Sequence, residues 1–160
     1  NAPLTKEESA KVIEAAIRKA AKKPTGELTK ADFEKVTRLT YLDGNKLTDV
    51  KGLEKLTQLQ TLQLCNNTLT NVSGLEKLTQ LKYLWLHSNQ LTELPKGLEK
   101  LTQLTHLILG HNQLTDVKGL EKLNQLTELG LHNNPDLTKA QIAELQKALP
   151  NCKILHNVDK

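Results

Sequence analysis

The chain has 160 residues, 38% of them hydrophobic and most of those leucine, which suits one folded domain with a continuous aliphatic core. Its net charge of +4 is modest because 22 basic residues are largely matched by 18 acidic ones, many in neighbouring Glu-Lys pairs that we interpret as solvated surface pairs. No apolar run reaches the length of a membrane span and no basic, then apolar leader opens the chain, so we expect no membrane insertion.

Two helices are predicted at the N-terminus. The segment Thr5–Glu8 has the capping-box pattern, and apolar residues then recur at helical spacing until Pro24, which predicts a first helix over roughly residues 6 to 22. The segment Thr29–Asp32 starts a short second helix that ends near Lys35. We expect these helices to cover the open end of a repeat stack.

An internal repeat of 22 or 23 residues follows the helices. Its clearest copy is Leu81–Asn89, in which leucines alternate with other residues at the spacing of a strand. Near-identical connectors with the sequence Gly-Leu-Glu-Lys-Leu-Thr-Gln-Leu separate the copies. Each copy ends at an asparagine that we expect to point inward and to satisfy backbone groups in the core. These asparagines are Asn45, Asn67, Asn89, Asn112 and Asn134.

The first copy departs from the pattern. Counting back from Asn45, Thr40 stands where the second strand leucine should be, and Leu39 is one position out of step. We therefore expect a bulge or a weakened first strand beside the N-terminal helices.

The C-terminal segment reads as a second cap. Thr138–Gln141 is another capping box, and apolar residues at helical spacing continue to Pro150, which predicts a helix. Residues 151–155 then read as a last edge strand.

The repeated pattern L-x-x-L-x-L-x-x-N-x-L-T resembles the leucine-rich repeat family, and five consecutive copies are present. The resemblance implies an α/β leucine-rich repeat solenoid, a horseshoe with short parallel strands on its concave face. It also implies one domain over residues 1–160, with an N-terminal helical cap over 1–35, five repeats over 36–137 and a C-terminal helix and edge-strand cap over 138–160.

The caps resemble particular branches of that family. The tail resembles the ribonuclease-inhibitor-like C-terminal cap as it appears in bacterial repeat proteins. The segment 12–49 resembles the N-terminal module of secreted or surface bacterial leucine-rich repeat proteins. The resemblance implies an extracytoplasmic or secreted protein, with a cytoplasmic location as the alternative.

Rare side chains concentrate on the face that varies between repeats. Residues that alternate with the strand leucines should face the concave solvent, and in the first repeat we place Leu39 there as well. These positions hold three of the four aromatic residues and four of the five histidines, a composition typical of a recognition surface. The predicted binding residues are Tyr41, Tyr83, Trp85, His87, His106, Ile108, His111 and His132.

Catalysis is a sharper alternative for the same face. Asp43, Cys65 and His87 occupy one column in successive repeats, so a carboxylate, a thiol and an imidazole would be neighbours. The order is wrong for a relay, because the cysteine lies between the other two, and the face is open to water. We therefore predict no catalytic residue and no enzyme activity.

Metal and nucleic acid are two further alternatives. Cys65 and His87 are suitable ligands for a soft metal, but Gly110 interrupts the column and no close third ligand is evident, so we predict no metal and no cofactor. Most lysines lie on the connectors or the first helix, and only Arg38 and Lys82 are fixed positive charges on the concave face. This placement does not make a phosphate track, so we predict no nucleic acid partner.

The two cysteines, Cys65 and Cys152, are predicted to be free thiols. Their elements lie three repeats apart, which places them roughly 15 Å from each other, against a Cα limit of about 7 Å for a disulfide.

The sequence thus predicts a monomeric, non-enzymatic module that binds a protein or peptide, or else a glycan, on its concave face. Trp85 and Tyr83 are the predicted anchors. The alternative is a structural or assembly module that interacts through its caps, with no concave ligand.

Overall fold

The computed structural model describes residues 2–159. Helices α1 (Lys6–Ala21) and α2 (Lys30–Glu34) come first, and α3 (Lys139–Ala148) lies near the C-terminus. The strands form one parallel six-stranded sheet in chain order. They are β1 (Arg38–Leu39), β2 (Thr61–Gln63), β3 (Tyr83–Trp85), β4 (His106–Ile108), β5 (Glu128–Gly130) and β6 (Lys153–Leu155). The predicted solenoid is therefore confirmed.

All three helices begin with the reciprocal bonds that their sequences predict. In α1 the backbone N–H of Glu8 donates to the Thr5 hydroxyl, while the Glu8 carboxylate accepts from the Thr5 N–H. Thr29 with Asp32, and Thr138 with Gln141, make the same pair of bonds. These contacts satisfy N–H groups that a helix start otherwise leaves without partners.

The core is a stack of leucine layers. Leu84 pairs in register with Leu62 on one side and Leu107 on the other, and all three are completely buried. A single repeat has nothing against which to bury this face, so the layers stabilise one another, each leucine contributing about 1.5–3 kcal/mol.

The asparagines form the predicted ladder beneath the strands. Asn89 accepts the N–H of Leu69 at 3.1 Å and donates to the carbonyls of Leu64 and Leu86, each at 3.0 Å. Three other buried asparagines, Asn67, Asn112 and Asn134, make equivalent bonds. Asn45 differs from these four asparagines, because its amide donates within its own turn, to the carbonyls of Tyr41 and Asp43.

The convex side consists of short 3₁₀ turns, one in each connector. Each follows a glycine with a positive φ, a conformation that is costly for other residues. At Gly74 the φ is 107°, and its N–H donates to Glu76 Oε1 at 2.8 Å, which anchors the turn. The turns span Leu53–Lys55, Leu75–Lys77, Leu98–Lys100 and Leu120–Lys122.

The first repeat contains the expected irregularity, with one correction. Leu39 pairs with Leu62 and is fully buried, so its predicted concave placement is wrong. The reason is that Thr40 and Tyr41 together lie opposite the single residue Gln63. This bulge restores the leucine register and shortens β1 to two residues.

The N-terminal helices carry one buried ion pair. Asp32 Oδ2 accepts from Lys23 Nζ at 2.8 Å and from both the N–H and the hydroxyl of Thr29. Lys35 Nζ lies 3.8 Å from the other carboxylate oxygen. The Lys23 ammonium and the Thr29 donors hold the pKa of Asp32 well below its usual range.

The C-terminal end closes the sheet with β6, which pairs only with β5. Gln146 of α3 donates to the carbonyls of Leu149 and Cys152, so one helix side chain fixes the turn before that strand. Within residues 2–159, no helix combines the length and the apolar character needed to cross a lipid bilayer.

Candidate functional site

The middle of the concave face carries a cluster of aromatic, imidazole and aliphatic side chains, here called the concave patch. It consists of Tyr83, Trp85, His87, His106 and Ile108. Their backbones belong to β3 and β4 or follow them directly, and their side chains alternate with leucines that point into the core. The sheet therefore fixes the direction of each side chain in the patch.

Two rings of the concave patch are in contact across strands, in a tilted arrangement. The Tyr83 and His106 ring centroids lie 4.9 Å apart at an interplanar angle of 40°, and Tyr83 remains 38% exposed. The Thr105 hydroxyl lies 2.9 Å from His106 Nδ1 and fixes the imidazole from its other side. These contacts hold the Tyr83 and His106 rings in fixed positions on the concave surface.

Trp85 lies at the centre of the concave patch. Its strand neighbours in register are Gln63 and Ile108, and its side chain is half-buried. Ile108 lies close to Gly130, where an added Cβ would be only 3.2 Å from Ile108 Cγ2. The glycine therefore makes room for Ile108.

His87 is bonded to the cysteine of the preceding repeat. Cys65 Sγ lies 3.1 Å from His87 Nδ1, and the backbone N–H of Cys65 donates to Asp43 Oδ1 at 2.8 Å. The column predicted from the repeat register is therefore present. Cys65 is nevertheless only 3% exposed, which corrects its predicted solvent-facing placement.

Burial, together with the negative charge of Asp43, raises the pKa of the Cys65 thiol to about 12. The thiol is therefore protonated at neutral pH, whereas nucleophilic catalysis needs the thiolate. Asp43 disfavours the thiolate and contacts the cysteine backbone, so it does not orient His87 as a base. This arrangement favours a structural role for the column.

Within the described part of the chain, no group of three or more histidine, cysteine, aspartate or glutamate residues is placed to hold a metal ion. The two cysteines are free thiols, as predicted, and both are buried.

Tyr41 is placed apart from the concave patch. It lies in the bulge of the first repeat, and its ring is covered by the ammonium of Lys19, whose Nζ is 4.2 Å from the ring centroid. The ring is still 48% exposed. Tyr41 thus forms a separate aromatic position at the contact between α1 and the first repeat.

The last two predicted residues lie at the C-terminal side of the face. His111 occupies a turn with φ of 53°, and its Nε2 accepts from Asn133 Nδ2 at 2.8 Å. His132 is exposed in the same column as His87, with Gly110 between them. The structure therefore brings five of the eight predicted residues into one cluster and leaves Tyr41, His111 and His132 around it.

Three features of the site were not predicted from the sequence. These are the cover of Tyr41 by Lys19, the backbone bond from Cys65 to Asp43, and the space that Gly130 gives to Ile108. For the last of these, the available signal was Gly130, a glycine at a concave position where the preceding strands have larger residues such as Trp85 and Ile108. Nothing in the repeat period indicates where α1 places its lysines.

Comparison with known proteins identifies the repeat. The family described as leucine rich repeat matches residues 79–135, and a family of two-copy leucine rich repeats matches residues 57–100. No curated protein sequence matches the chain.

Solved structures agree with this assignment. An internalin, InlF, from Listeria monocytogenes is 27% identical with a TM-score of 0.82, the match covering 94% of this chain and 44% of that one. A leucine-rich repeat protein of Leptospira interrogans is 30% identical with a TM-score of 0.68, over 80% and 33% of the two chains.

A more distant example comes from a plant. The ectodomain of the Arabidopsis thaliana membrane receptor kinase GASSHO1/SCHENGEN3 is 27% identical with a TM-score of 0.60, over 79% of this chain and 16% of that one. The chain spans less than half the length of each of these proteins. It has the fold of a leucine-rich repeat solenoid.

Proposed function

We propose that this leucine-rich repeat solenoid is a non-enzymatic module that binds a protein or peptide on its concave face. The observation that carries the proposal is the concave patch. It combines a tilted ring contact between exposed Tyr83 and half-buried His106 with a half-buried tryptophan on a parallel sheet. Tryptophan and tyrosine are the residues most often responsible for binding energy at protein interfaces.

The proposed contact set has a centre and a margin. Trp85 and Tyr83 are the anchors, with His87, His106 and Ile108 around them. Tyr41, His111 and His132 extend the surface toward the two ends. Because leucines hold the backbone from the opposite face, ligand contact requires no rearrangement of the sheet.

One protein of the same fold supports a binding role for such a scaffold. The plant receptor kinase ectodomain is solved in complex with CASPARIAN STRIP INTEGRITY FACTOR 2. This chain is more similar in structure to the bacterial internalin InlF, with a TM-score of 0.82, than to the plant ectodomain, with a TM-score of 0.60. The raised pKa of the Cys65 thiol supports the non-enzymatic part of the proposal, because the cysteine bonded to His87 is not a nucleophilic thiolate at neutral pH.

The test is a quantitative capture experiment. Immobilised wild type, Trp85→Ala and a convex control, Lys100→Ala, are compared for the proteins and peptides that each retains, together with binding to a glycan array. We expect partners retained equally by wild type and Lys100→Ala and lost with Trp85→Ala. Partners that Trp85→Ala retains fully would contradict the proposal. If only glycans bound in a Trp85-dependent way, the ligand would be a glycan and not a protein or peptide.

An assembly role through the N-terminal cap is the second candidate, and one feature favours it. A groove of about 480 Å³ lies between α1, α2 and the convex side of the first repeat. Its lining includes Leu28 and Phe33, with Lys55 Nζ 5.6 Å from the centroid of the Phe33 ring. Hydrogen exchange with a captured partner separates the roles, since protection of β2 to β4 supports the concave face and protection confined to α1 supports the groove.

A location outside the cytoplasm is part of the proposal. Its support is the resemblance of the N-terminal module to secreted or surface bacterial proteins and the similarity of the fold to an internalin. Fractionation of the source cells, with the protein found only in the cytoplasm, would contradict it.

A further inference from the structure

On the premise of the proposed function, we infer that Cys65 is a positioning residue. It holds His87 with an N–H at Nε2 toward the concave surface, and the ligand that meets this donor is an acidic peptide.

The direction follows from the contact between the two side chains. Cys65 Sγ lies 3.1 Å from His87 Nδ1. The Asp43 side chain also acts on the thiol, but its Oδ1 accepts the Cys65 backbone N–H at 2.8 Å. An imidazole lone pair is a strong acceptor, whereas a thiol sulfur is a weak one, so the S–H donates to Nδ1. The proton of the neutral ring then lies on Nε2.

The assignment of a donor at Nε2 holds for the charged ring as well, because a protonated imidazole carries hydrogens on both nitrogens. The high pKa of the Cys65 thiol, caused by burial and by Asp43, keeps the S–H proton in place at neutral pH. His87 therefore presents a donor, and not an acceptor, in both protonation states.

That donor is accessible to a ligand. Within residues 2–159, no protein group forms a hydrogen bond with His87 Nε2 or with the indole nitrogen of Trp85. Both side chains are partly buried. In the same range, every side-chain nitrogen or oxygen that is shielded from solvent in a buried or partly buried residue has a hydrogen-bond partner. Both N–H groups must therefore reach solvent, which places two donors without protein partners at alternate positions of one extended segment.

The surrounding charge favours a carboxylate over a neutral carbonyl. The segments 60–66, 82–88 and 105–111 form the middle of the concave face and contain no aspartate or glutamate, while Lys82 adds an exposed positive charge. The carboxylates nearest in the sheet order are Asp43, already bonded to the Cys65 N–H, and Glu128 on β5. Glu128 is the register neighbour of His106, but neither carboxylate is bonded to His87 Nε2 or to the Trp85 indole nitrogen, so both donors are left for a ligand carboxylate. Charge-assisted hydrogen bonds are the stronger kind.

The first experiment tests the hydrogen-bond direction without any ligand. Long-range proton–nitrogen correlation NMR of ¹⁵N-labelled protein reports which ring nitrogen of His87 carries the proton. We expect protonated Nε2 in the wild type, the same state in Cys65→Ser, and a mixture of tautomers in Cys65→Ala. His132 is the internal control. A proton on Nδ1 in the wild type, or a His87 spectrum unchanged in Cys65→Ala, would overturn the positioning role.

The second experiment tests the ligand class. The probe is a peptide array in which every sequence is present with glutamate and with glutamine at the same positions. We expect wild type to bind glutamate members about tenfold better than their glutamine partners, and His87→Ala to lose that preference. Trp85→Ala should lose binding to both members of each pair.

The outcomes separate the two proposals. Trp85-dependent binding with no preference for glutamate overturns the acidic ligand and leaves the proposed function standing. Peptide binding that ignores Trp85, or no binding at all, counts against the concave peptide site itself and therefore against both.

Discussion

The Asn89 side chain accepts the backbone N–H of Leu69 from the preceding repeat at 3.1 Å, and its amide donates to two carbonyls of the core. One side chain thus satisfies three backbone groups that have no access to water. These bonds connect each repeat to the one before it, so the contribution of the asparagine ladder to the free energy of unfolding can be tested by substitution.

Asn89→Ala should lower the free energy of unfolding by about 3 kcal/mol, since each buried group left without a partner costs about 1–3 kcal/mol. Chemical denaturation followed by circular dichroism measures the change. Gln90→Ala is the matched control, because Gln90 is exposed and its side chain makes no hydrogen bond in the described structure. Equal unfolding midpoints for the two variants would contradict the role of the ladder.

Both cysteines should resist alkylation in the folded protein. Burial raises the pKa of each thiol, that of Cys65 to about 12, so only roughly one Cys65 in ten thousand is a thiolate at about pH 8. Intact mass after treatment with iodoacetamide should show no adduct under native conditions and two adducts in concentrated denaturant. Rapid native labelling of Cys65 would show that the sulfur is accessible and would remove the argument for its position beside His87.

The buried carboxylate of Asp32 predicts an acid-dependent stability. Its pKa is lowered in the folded state by Lys23 and Thr29, so its contribution is present above the unfolded value of about 4 and is lost as the pH falls through the folded pKa. Asp32→Asn should therefore lower the unfolding midpoint at neutral pH, and its difference from wild type should shrink below about pH 4.

The control for Asp32 is Glu34→Gln on the same helix. The ion pair that Glu34 makes with Lys30, whose Nζ is 3.9 Å from Glu34 Oε1, is exposed, so this substitution should change the midpoint little at any pH. An Asp32→Asn deficit that persists unchanged to low pH would show that the ion pair is not its cause.

Much of the fold could be predicted from the sequence because the information is periodic. The leucine spacing, the asparagine after each strand and the capping boxes specify local structure, and repetition specifies how the copies stack. The bulge was also predictable, since Thr40 interrupts the pattern, although the assignment of Leu39 to the concave face was wrong. The backbone absorbed the extra residue so that Leu39 could remain in the core.

The site was less predictable because it depends on contacts between elements. The sequence register placed Cys65 and His87 in one column, but only packing shows that the thiol is buried and that Asp43 contacts its backbone N–H. The cover of Tyr41 by Lys19 depends on how α1 docks onto the first repeat, which no repeat pattern encodes. The binding role of the concave patch stays a prediction.

Leu86→Ala separates folding from binding. Leu86 is fully buried next to Trp85 in the chain, so its removal should destabilise the solenoid by about 2–5 kcal/mol. Tyr83→Ala removes an exposed ring and should leave the unfolding midpoint nearly unchanged. Thermal unfolding of both variants checks this contrast, and a Tyr83→Ala protein as unstable as Leu86→Ala would show that the ring belongs to the core.

The affinity of folded Trp85→Ala for the captured partner is the most direct test of the concave site. With calorimetric titration we expect binding to weaken at least about thirtyfold, corresponding to a loss of about 2 kcal/mol, while Lys100→Ala binds like wild type. Circular dichroism must show the same fold for all three proteins. A folded Trp85→Ala variant that binds its partner as tightly as the wild type would contradict the account.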